Sequence, residues 1–130
     1  MNTKYVCSLE LAKRLKELGV EQESDFWWAL NPRTLRYALK DSDEHPVLKD
    51  IHHVNGVAME GFYSAFHVGE LGEILPDDMT TFHYHGQHFC EQMHKSIKGK
   101  SDTEANCRAK MLIYLIENKL IQVQSKRRGR

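Results

Sequence analysis

Residues 101–121, SDTEANCRAKMLIYLIENKLI, spell an amphipathic helix and decide what kind of core this chain can build. Its apolar residues recur at the spacing of one helical face, namely Ala105, Ala109, Leu112 and Ile116, with Ile113 and Leu120 beside them. Most charged residues of the stretch lie off that face. The pattern therefore predicts a closing helix whose apolar side is buried.

The start of this helix carries a capping pattern. Ser101 is followed three residues later by Glu104, the spacing of a capping box in which each side chain binds the other residue's backbone N–H. The sequence therefore predicts that the helix begins directly after Ser101. Because Ala105 and Ala109 are small, we expect this end of the helix to lie close against a sheet.

A second helix is predicted over residues 8–18, near the N-terminus. Leu11, Leu15 and Leu18 form its apolar stripe. Gly19 follows directly, and glycine often ends helices because it adopts positive φ without a steric penalty. We expect Val20, just beyond the glycine, to close a contact with Leu15.

The middle of the chain has mainly strand patterns. Aromatic and aliphatic runs predict a hairpin, a strand, a short helix and a second hairpin, at residues 25–39, 57–66, 67–75 and 79–95 respectively. The turn of the first hairpin is expected at residues 31–34, NPRT. With the two terminal helices, this order predicts an α+β domain with about three helices on one face of an antiparallel sheet.

The length and charge of the chain limit its organisation. With 130 residues it suits one domain, which we expect to span residues 1–122, followed by a basic, disordered tail at residues 123–130. Lys and Arg number 18, and Asp and Glu also number 18. Because these charges cancel, contact with nucleic acid or an anionic membrane would need a local basic patch.

Localisation is inferred from what the sequence lacks. No apolar run reaches the length of a membrane span, and the N-terminus has no signal-peptide pattern. The three cysteines, Cys7, Cys90 and Cys107, include no close pair, which favours buried, reduced thiols over a disulfide framework. We therefore expect a cytoplasmic protein.

The second hairpin contains the strongest chemical pattern. A turn at Gly86-Gln87 would pair His85 with His88, and four side chains would share one face: His83, His85, His88 and Cys90. The opposite face would carry Phe82, Tyr84, Phe89 and Met93, which is apolar enough to face the core. Imidazoles and a thiol are ligand types that suit zinc. The alternative is a solvated polar face without a metal.

Residues 40–56, KDSDEHPVLKDIHHVNG, lose periodicity and gain charge, which predicts an irregular insertion. Within it, residues 51–56, IHHVNG, resemble the opening of HNH nucleases, in which a histidine acts as general base beside a metal. That resemblance implies His53 as the candidate base. The alternative is a polar loop.

Candidate partner contacts come from this insertion and from the first hairpin. Phe26, Trp28 and Leu30 would share one face of the first strand, which leaves Trp27 on the other face and partly uncovered. Packing of Trp27 against a helix is the alternative to a binding role. The partner-binding candidates are Trp27, Asp41, Asp43, Glu44, His52, His53 and Asn55.

Three segments of the chain resemble, in the same order, small uncharacterised phage and prophage proteins of Bacteroidetes and Firmicutes mobile elements. They are residues 7–20, CSLELAKRLKELGV, parts of residues 64–76, and residues 102–118. The resemblance implies a mobile-element origin and brings no catalytic residues with it. The histidine-bearing hairpin and residues 33–59 depart from these relatives.

The functional expectation follows from this resemblance and from the motifs. The sequence has no glycine-rich phosphate loop, nucleophile elbow or His-Glu-x-x-His. We therefore expect a non-enzymatic inhibitor of a host defence complex, such as an anti-CRISPR protein acting on a nuclease effector. Its partner would be a host protein or ribonucleoprotein, and it would need no cofactor. The alternative is a metal-dependent or nucleic-acid-binding protein that uses the histidines, with an HNH-like nuclease as its extreme form.

Overall fold

The computed structural model describes residues 3–31, 33–41, 51–54, 57–76, 79–92 and 97–122. After a 3-10 turn at Thr3–Tyr5, the elements are α1 (Leu9–Glu17), β1 (Phe26–Asn31), β2 (Arg36–Asp41), β3 (Ile51–Val54), β4 (Val57–Glu60), β5 (Phe62–Ser64), α2 (Val68–Ile74), β6 (Met79–Tyr84), β7 (Gln87–Gln92), β8 (Ile97–Ser101) and α3 (Glu104–Glu117). The described residues form an α+β domain, which confirms the predicted fold class.

The strands are divided among small antiparallel sheets instead of forming one. Within the described ranges the strand orders are β2-β1-β5, β3-β4 and β6-β7-β8. The first hairpin pairs as expected, with Asn31 opposite Arg36 across its turn. Asn31 Oδ1 accepts the Arg33 N–H at 2.9 Å, so the predicted turn residue orders the turn.

The closing helix α3 is the centre of the core. Its fully or nearly fully buried residues are Ala105, Cys107, Ala109, Met111, Leu112, Ile113 and Leu115. They lie all round the helix because α1, α2, β7 and β8 contact it from different sides. The predicted stripe is confirmed at its first three positions, whereas Ile116 is only partly buried. Each large buried side chain contributes roughly 1.5–3 kcal/mol relative to exposure.

The start of α3 differs from the prediction. Thr103 is the N-cap, and its Oγ1 accepts the Asn106 N–H at 3.1 Å. Ser101 is instead the last residue of β8, where its backbone pairs with His88. The capping box predicted between Ser101 and Glu104 is therefore wrong, because the strand ladder holds Ser101 extended two residues before the N-cap.

The N-terminal helix α1 is capped at both ends, and the sequence predicted the cap at its C-terminal end. Ser8 Oγ accepts the Leu11 N–H at 3.3 Å at its start. At its end Gly19 has φ of +92°, and the Val20 N–H donates to the Leu15 carbonyl at 3.1 Å. This is the Schellman arrangement, and Leu15 and Val20 are both buried.

Helix α2 packs against α3 at Gly72, where the Arg108 side chain passes. Arg108 Nη1 donates to the Val68 carbonyl at 3.2 Å, and its Nη2 lies 2.9 Å from Glu104 Oε2 and 3.4 Å from Thr81 Oγ1. A Cβ at position 72 would collide with Arg108 Nη1. Because Gly72 has no side chain, it leaves space for the Arg108 guanidinium, which connects α2, α3 and β6.

Part of the predicted irregular insertion is regular. Lys40 and Asp41 complete β2, and Ile51–Val54 forms β3, paired with β4 in register from Ile51 opposite Glu60 to Val54 opposite Val57. Ile51 and Val54 are β-branched, which favours a strand. The rest of the predicted insertion, residues 42–50 and 55–56, lies outside the described residues, as does the predicted tail at 123–130.

Candidate functional site

The histidine-bearing hairpin turns one residue earlier than predicted. Its two turn residues are His85 and Gly86, with φ of +52° and +76°. Positive φ at both positions is what a type I′ turn requires, and that turn matches the right-handed twist of the flanking strands. Tyr84 therefore pairs with Gln87, and the predicted turn at Gly86-Gln87 is wrong.

The new register separates the four residues predicted to bind zinc. His83 and His88 are now directly opposite each other, with ring centroids 4.4 Å apart and planes 11° from parallel. His85 lies in the turn. Cys90 is opposite Thr81 and is completely buried. The structure thus brings together His83 and His88 alone, and the zinc set His83, His85, His88 and Cys90 is not assembled.

Cys90 belongs to the core through its contact with α3. The Cys107 thiol shares a hydrogen bond with Cys90 that lowers the pKa of Cys90, while burial opposes that shift. The same hydrogen bond, followed by burial, raises the pKa of Cys107. Burial also raises the pKa of the Cys7 thiol to about 12. All three thiols are free and buried, as the sequence predicts.

The two faces of the β6-β7-β8 sheet are the reverse of the prediction. The face that carries Cys90 packs on α3, and Gly99 of β8 lies opposite Cys90. The face that carries Phe82, Tyr84 and Phe89 points away from α3. Phe82 is 44% exposed and Tyr84 is 62% exposed. The small residues Cys90 and Gly99 let α3 come close to this face of the sheet. The sequence prediction placed the aromatic side in the core because that side has more apolar residues.

We call the outward side chains Phe82, Tyr84, Phe89 and Lys100 the aromatic face. Phe82 and Phe89 are cross-strand partners whose rings stack with centroids 5.2 Å apart and planes 16° from parallel. Lys100 is opposite Phe89 on β8, with Nζ 6.0 Å from the Phe89 ring centroid. Three neighbouring strands therefore each contribute one member of a continuous row.

A groove lies on the other side of this sheet, at the N-terminal ends of α1 and α3. It has a volume of about 790 Å³, and its lining includes Tyr5, Leu9, Trp28, Val68, His88 and Asn106. Asn106 Oδ1 accepts the Ser8 N–H at 2.7 Å, which ties the two helix ends together. The groove thus holds His88, and two of its polar lining residues, Ser8 and Thr103, already serve as helix N-caps.

Asp25, His67 and Glu70 form the group of potential metal ligands that the described residues bring within 4.8 Å. Their arrangement is a capping box: the Glu70 N–H donates to His67 Nδ1 at 3.3 Å, and the His67 N–H donates to Glu70 Oε1 at 3.0 Å. Nδ1 therefore has no hydrogen, so Nε2 carries it and donates to Asp25 Oδ2 at 3.1 Å. A metal at Nε2 would displace that hydrogen to Nδ1 and break the cap. The group is thus built to begin α2.

A partly buried pair of tyrosines connects β2 and β5. The rings of Tyr37 and Tyr63 are 5.4 Å apart, and the Tyr37 hydroxyl donates to the Glu60 carbonyl at 2.6 Å. Burial is the main cause that raises the pKa of Tyr63 to about 12. Both phenols therefore keep their protons at neutral pH and act as hydrogen-bonding groups of the core edge.

The other predicted contact residues fall into three groups. Trp27 is half-buried, with its ring against Phe62 at 4.9 Å; within the described residues its Nε1–H is buried and has no hydrogen-bond partner. Asp41 ends β2 opposite Phe26, and His52 and His53 lie in β3 opposite Met59 and Ala58. Asp43, Glu44 and Asn55 lie outside the described residues. The described members of this set belong to strands of other sheets than the aromatic face, and sequence reasoning missed that face as a site.

Comparison of the chain with protein-family models, with curated proteins and with solved structures finds no match. In the part of the chain that the structure describes, no helix has the length and apolar character needed to cross a bilayer.

Proposed function

We propose that this chain is a non-enzymatic binding protein that docks a macromolecular partner through the aromatic face. The observation that carries the proposal is the outward stacking of Phe82 and Phe89 beside the exposed Tyr84. Single exposed apolar residues are common on protein surfaces, but adjacent exposed aromatic rings are typical of binding sites. Phe and Tyr are also among the residues that are enriched at interfaces.

The strands that hold these aromatic rings in place support the same proposal. The aromatic face stands on β7, which pairs with β6 on one side and β8 on the other, and Cys90 of β7 is sealed against α3. Phe82 is already ordered by its stack on Phe89. A partner that covers these rings would therefore immobilise few new rotamers, which reduces the entropic cost of binding.

The partner class follows from the resemblance to phage and prophage proteins at residues 7–20, 64–76 and 102–118. We propose a host defence complex as the target, a protein or ribonucleoprotein such as a CRISPR nuclease effector, inhibited in the host cytoplasm. The described charged side chains support binding over catalysis, since several hold the fold together. Arg108 joins α2 to α3, and Glu70 completes the cap of α2.

The test is reconstitution with purified defence nuclease complexes. We expect the native chain to form a stoichiometric complex on a sizing column and to reduce target cleavage. Phe82→Ala and Tyr84→Ala should each weaken the complex about fivefold or more, because truncating an aromatic residue that anchors an interface costs over 1 kcal/mol. Tyr114→Ala is the matched control, because Tyr114 has the same 44% exposure as Phe82 but lies on α3.

Two outcomes contradict the proposal. One is the absence of any complex between the native chain and a broad panel of such nucleases. The other is a complex that Phe82→Ala, Tyr84→Ala and Tyr114→Ala leave equally strong, since the aromatic face would then lie outside the interface.

A further inference from the structure

We infer that the aromatic face binds unpaired nucleotide bases, so that the partner's contact is single-stranded nucleic acid. This inference rests on the proposed function, because it names the chemistry that the same face recognises. Its support is the row formed by Phe82, Phe89 and Lys100 across β6, β7 and β8, which combines ring faces with a cation.

The stacking geometry fits a base. The Phe82 and Phe89 rings are 16° from parallel, so both present their planes in one direction along the row. Among the described strands β6 is an edge of its sheet, so the side of the Phe82 ring turned away from Phe89 has no neighbouring strand. Proteins that bind single strands stack bases on such exposed aromatic side chains, and this stacking tolerates any sequence because every base has a π-face.

Tyr84 lies beside this row on β6, nearer to the turn. It is 62% exposed, and its ring lies 4.0 Å from that of His85, at 65°. Tyr84 and Phe82 are two residues apart in β6, so they lie on the same side of the sheet and about 6.6 Å apart along the strand. Two aromatic platforms at that separation suit successive bases of an extended strand.

Local positive charge lies at the opposite end of the row. Lys100 carries its ammonium beside Phe89, and the Lys110 ammonium donates to the Lys100 carbonyl at 3.3 Å. Asp102, just after β8, lines the groove on the other side of the sheet. Glu91 lies on the same side of β7 as Phe89, so the positive charge at this edge is that of the Lys100 and Lys110 ammonium groups. These two groups are what the edge offers to phosphates, although the chain has no net charge.

A double-stranded nucleic acid fits this surface less well than a single strand does. Bases in a duplex are stacked on one another and leave no ring plane for Phe82 or Tyr84 to contact.

Phosphate contacts from Lys100 and Lys110 alone would give a modest dependence of binding affinity on salt concentration. With two phosphates neutralised, the slope of log K against log salt should be roughly −1.4 for a single strand.

The experiment measures fluorescence anisotropy of labelled 12-nucleotide oligo(U) and oligo(dT) with the full chain at about 50 mM salt, a concentration at which phosphate contacts are strong. We expect saturable binding that an unlabelled single strand competes away and a duplex does not. Phe82→Ala and Tyr84→Ala should each raise Kd at least about fivefold, the lower end of the cost of losing one stacked base. Tyr114→Ala should leave Kd unchanged.

Two further variants separate stacking from apolar docking. Phe82→Leu keeps an apolar side chain but removes the π-face, so oligonucleotide binding should fall nearly as far as in Phe82→Ala. Phe82→Tyr keeps the ring and should bind as the native chain does. Lys100→Gln should lower the magnitude of the salt slope by about 0.7. Thermal unfolding of each variant verifies that it is folded.

Absence of saturable binding by the native chain, or equal binding by Phe82→Leu and the native chain, overturns the inference. In that case a nuclease complex that still depends on Phe82 would show that the aromatic face takes a protein surface, and the proposed function would stand. Oligonucleotide binding without any defence complex would have the reverse meaning: the inference would hold and the proposed target would be wrong.

Discussion

The two faces of the β6-β7-β8 sheet differ in the size of their side chains more than in their polarity. On the inner face Cys90 and Gly99 lie opposite each other and α3 packs directly on them. On the outer face the larger Phe82 and Tyr84 are left exposed. A helix buries the face that lets it come close, so small residues, and not the largest apolar ones, mark the side of this sheet that belongs to the core.

The largest effect is expected from enlarging the inner face. Cys90→Leu adds volume to a completely buried site against Cys107, and overpacking of this kind typically costs about 1–3 kcal/mol. Urea unfolding should show the loss as a lower midpoint. Phe89→Leu, on the next residue of the same strand but the outer face, should cost clearly less. Equal losses would mean that the two faces are packed alike.

A second prediction tests the close packing of α2 on α3. Gly72→Ala should lower the free energy of unfolding by about 1 kcal/mol, because the added methyl group displaces the Arg108 guanidinium from the Val68 carbonyl. Losing that charge-assisted hydrogen bond costs about 1.5–3 kcal/mol, which outweighs a gain of about 1 kcal/mol in helix propensity. In an Arg108→Ala background the collision is gone, so the same substitution should become stabilising. Thermal unfolding of the four proteins in this cycle measures both signs. A destabilisation that persists without Arg108 would contradict the proposed contact.

A third prediction concerns the junction between β8 and α3. Thr103→Ala should cost about 1 kcal/mol, since it leaves the Asn106 N–H without its cap. Ser101→Ala removes only a hydroxyl that donates to the adjacent Asp102 at 3.2 Å, and should cost less than about 0.5 kcal/mol. Denaturant midpoints compare the two. If Ser101→Ala were the more harmful change, the helix would begin where the sequence pattern placed it.

Local patterns in the sequence predicted local structure well. The leucine stripe of α1, the Gly19 end and the first hairpin are determined by residues close together in the chain, and the structure confirms each of them. The capping box at Ser101 failed because β7, a strand distant from the cap motif, holds Ser101 in a ladder. The local sequence pattern at a helix start contains no information about the hydrogen bonds that β7 makes with Ser101.

The candidate site was less predictable for a related reason. One residue of difference in the turn, His85-Gly86 instead of Gly86-Gln87, changes every cross-strand pair of the hairpin and removes the zinc set. Which face is covered depends on where α3 lies, and that is a tertiary contact. The sequence predicted no strand at residues 97–101, so it did not show that Gly99 pairs with Cys90 and lets another element come close.

A small effect on stability is expected where the effect on binding should be largest. Phe82→Ala removes a ring that is 44% exposed and stacks on Phe89, so the free energy of unfolding should change by no more than about 0.5–1 kcal/mol. Denaturant unfolding measures this for Phe82→Ala and for the equally exposed Tyr114→Ala. A loss above about 2 kcal/mol at Phe82 would assign its ring to the core and remove the basis for a binding face. A small loss combined with weakened binding has the opposite meaning, because it separates the residues that hold the sheet on α3 from those that the sheet presents to a partner.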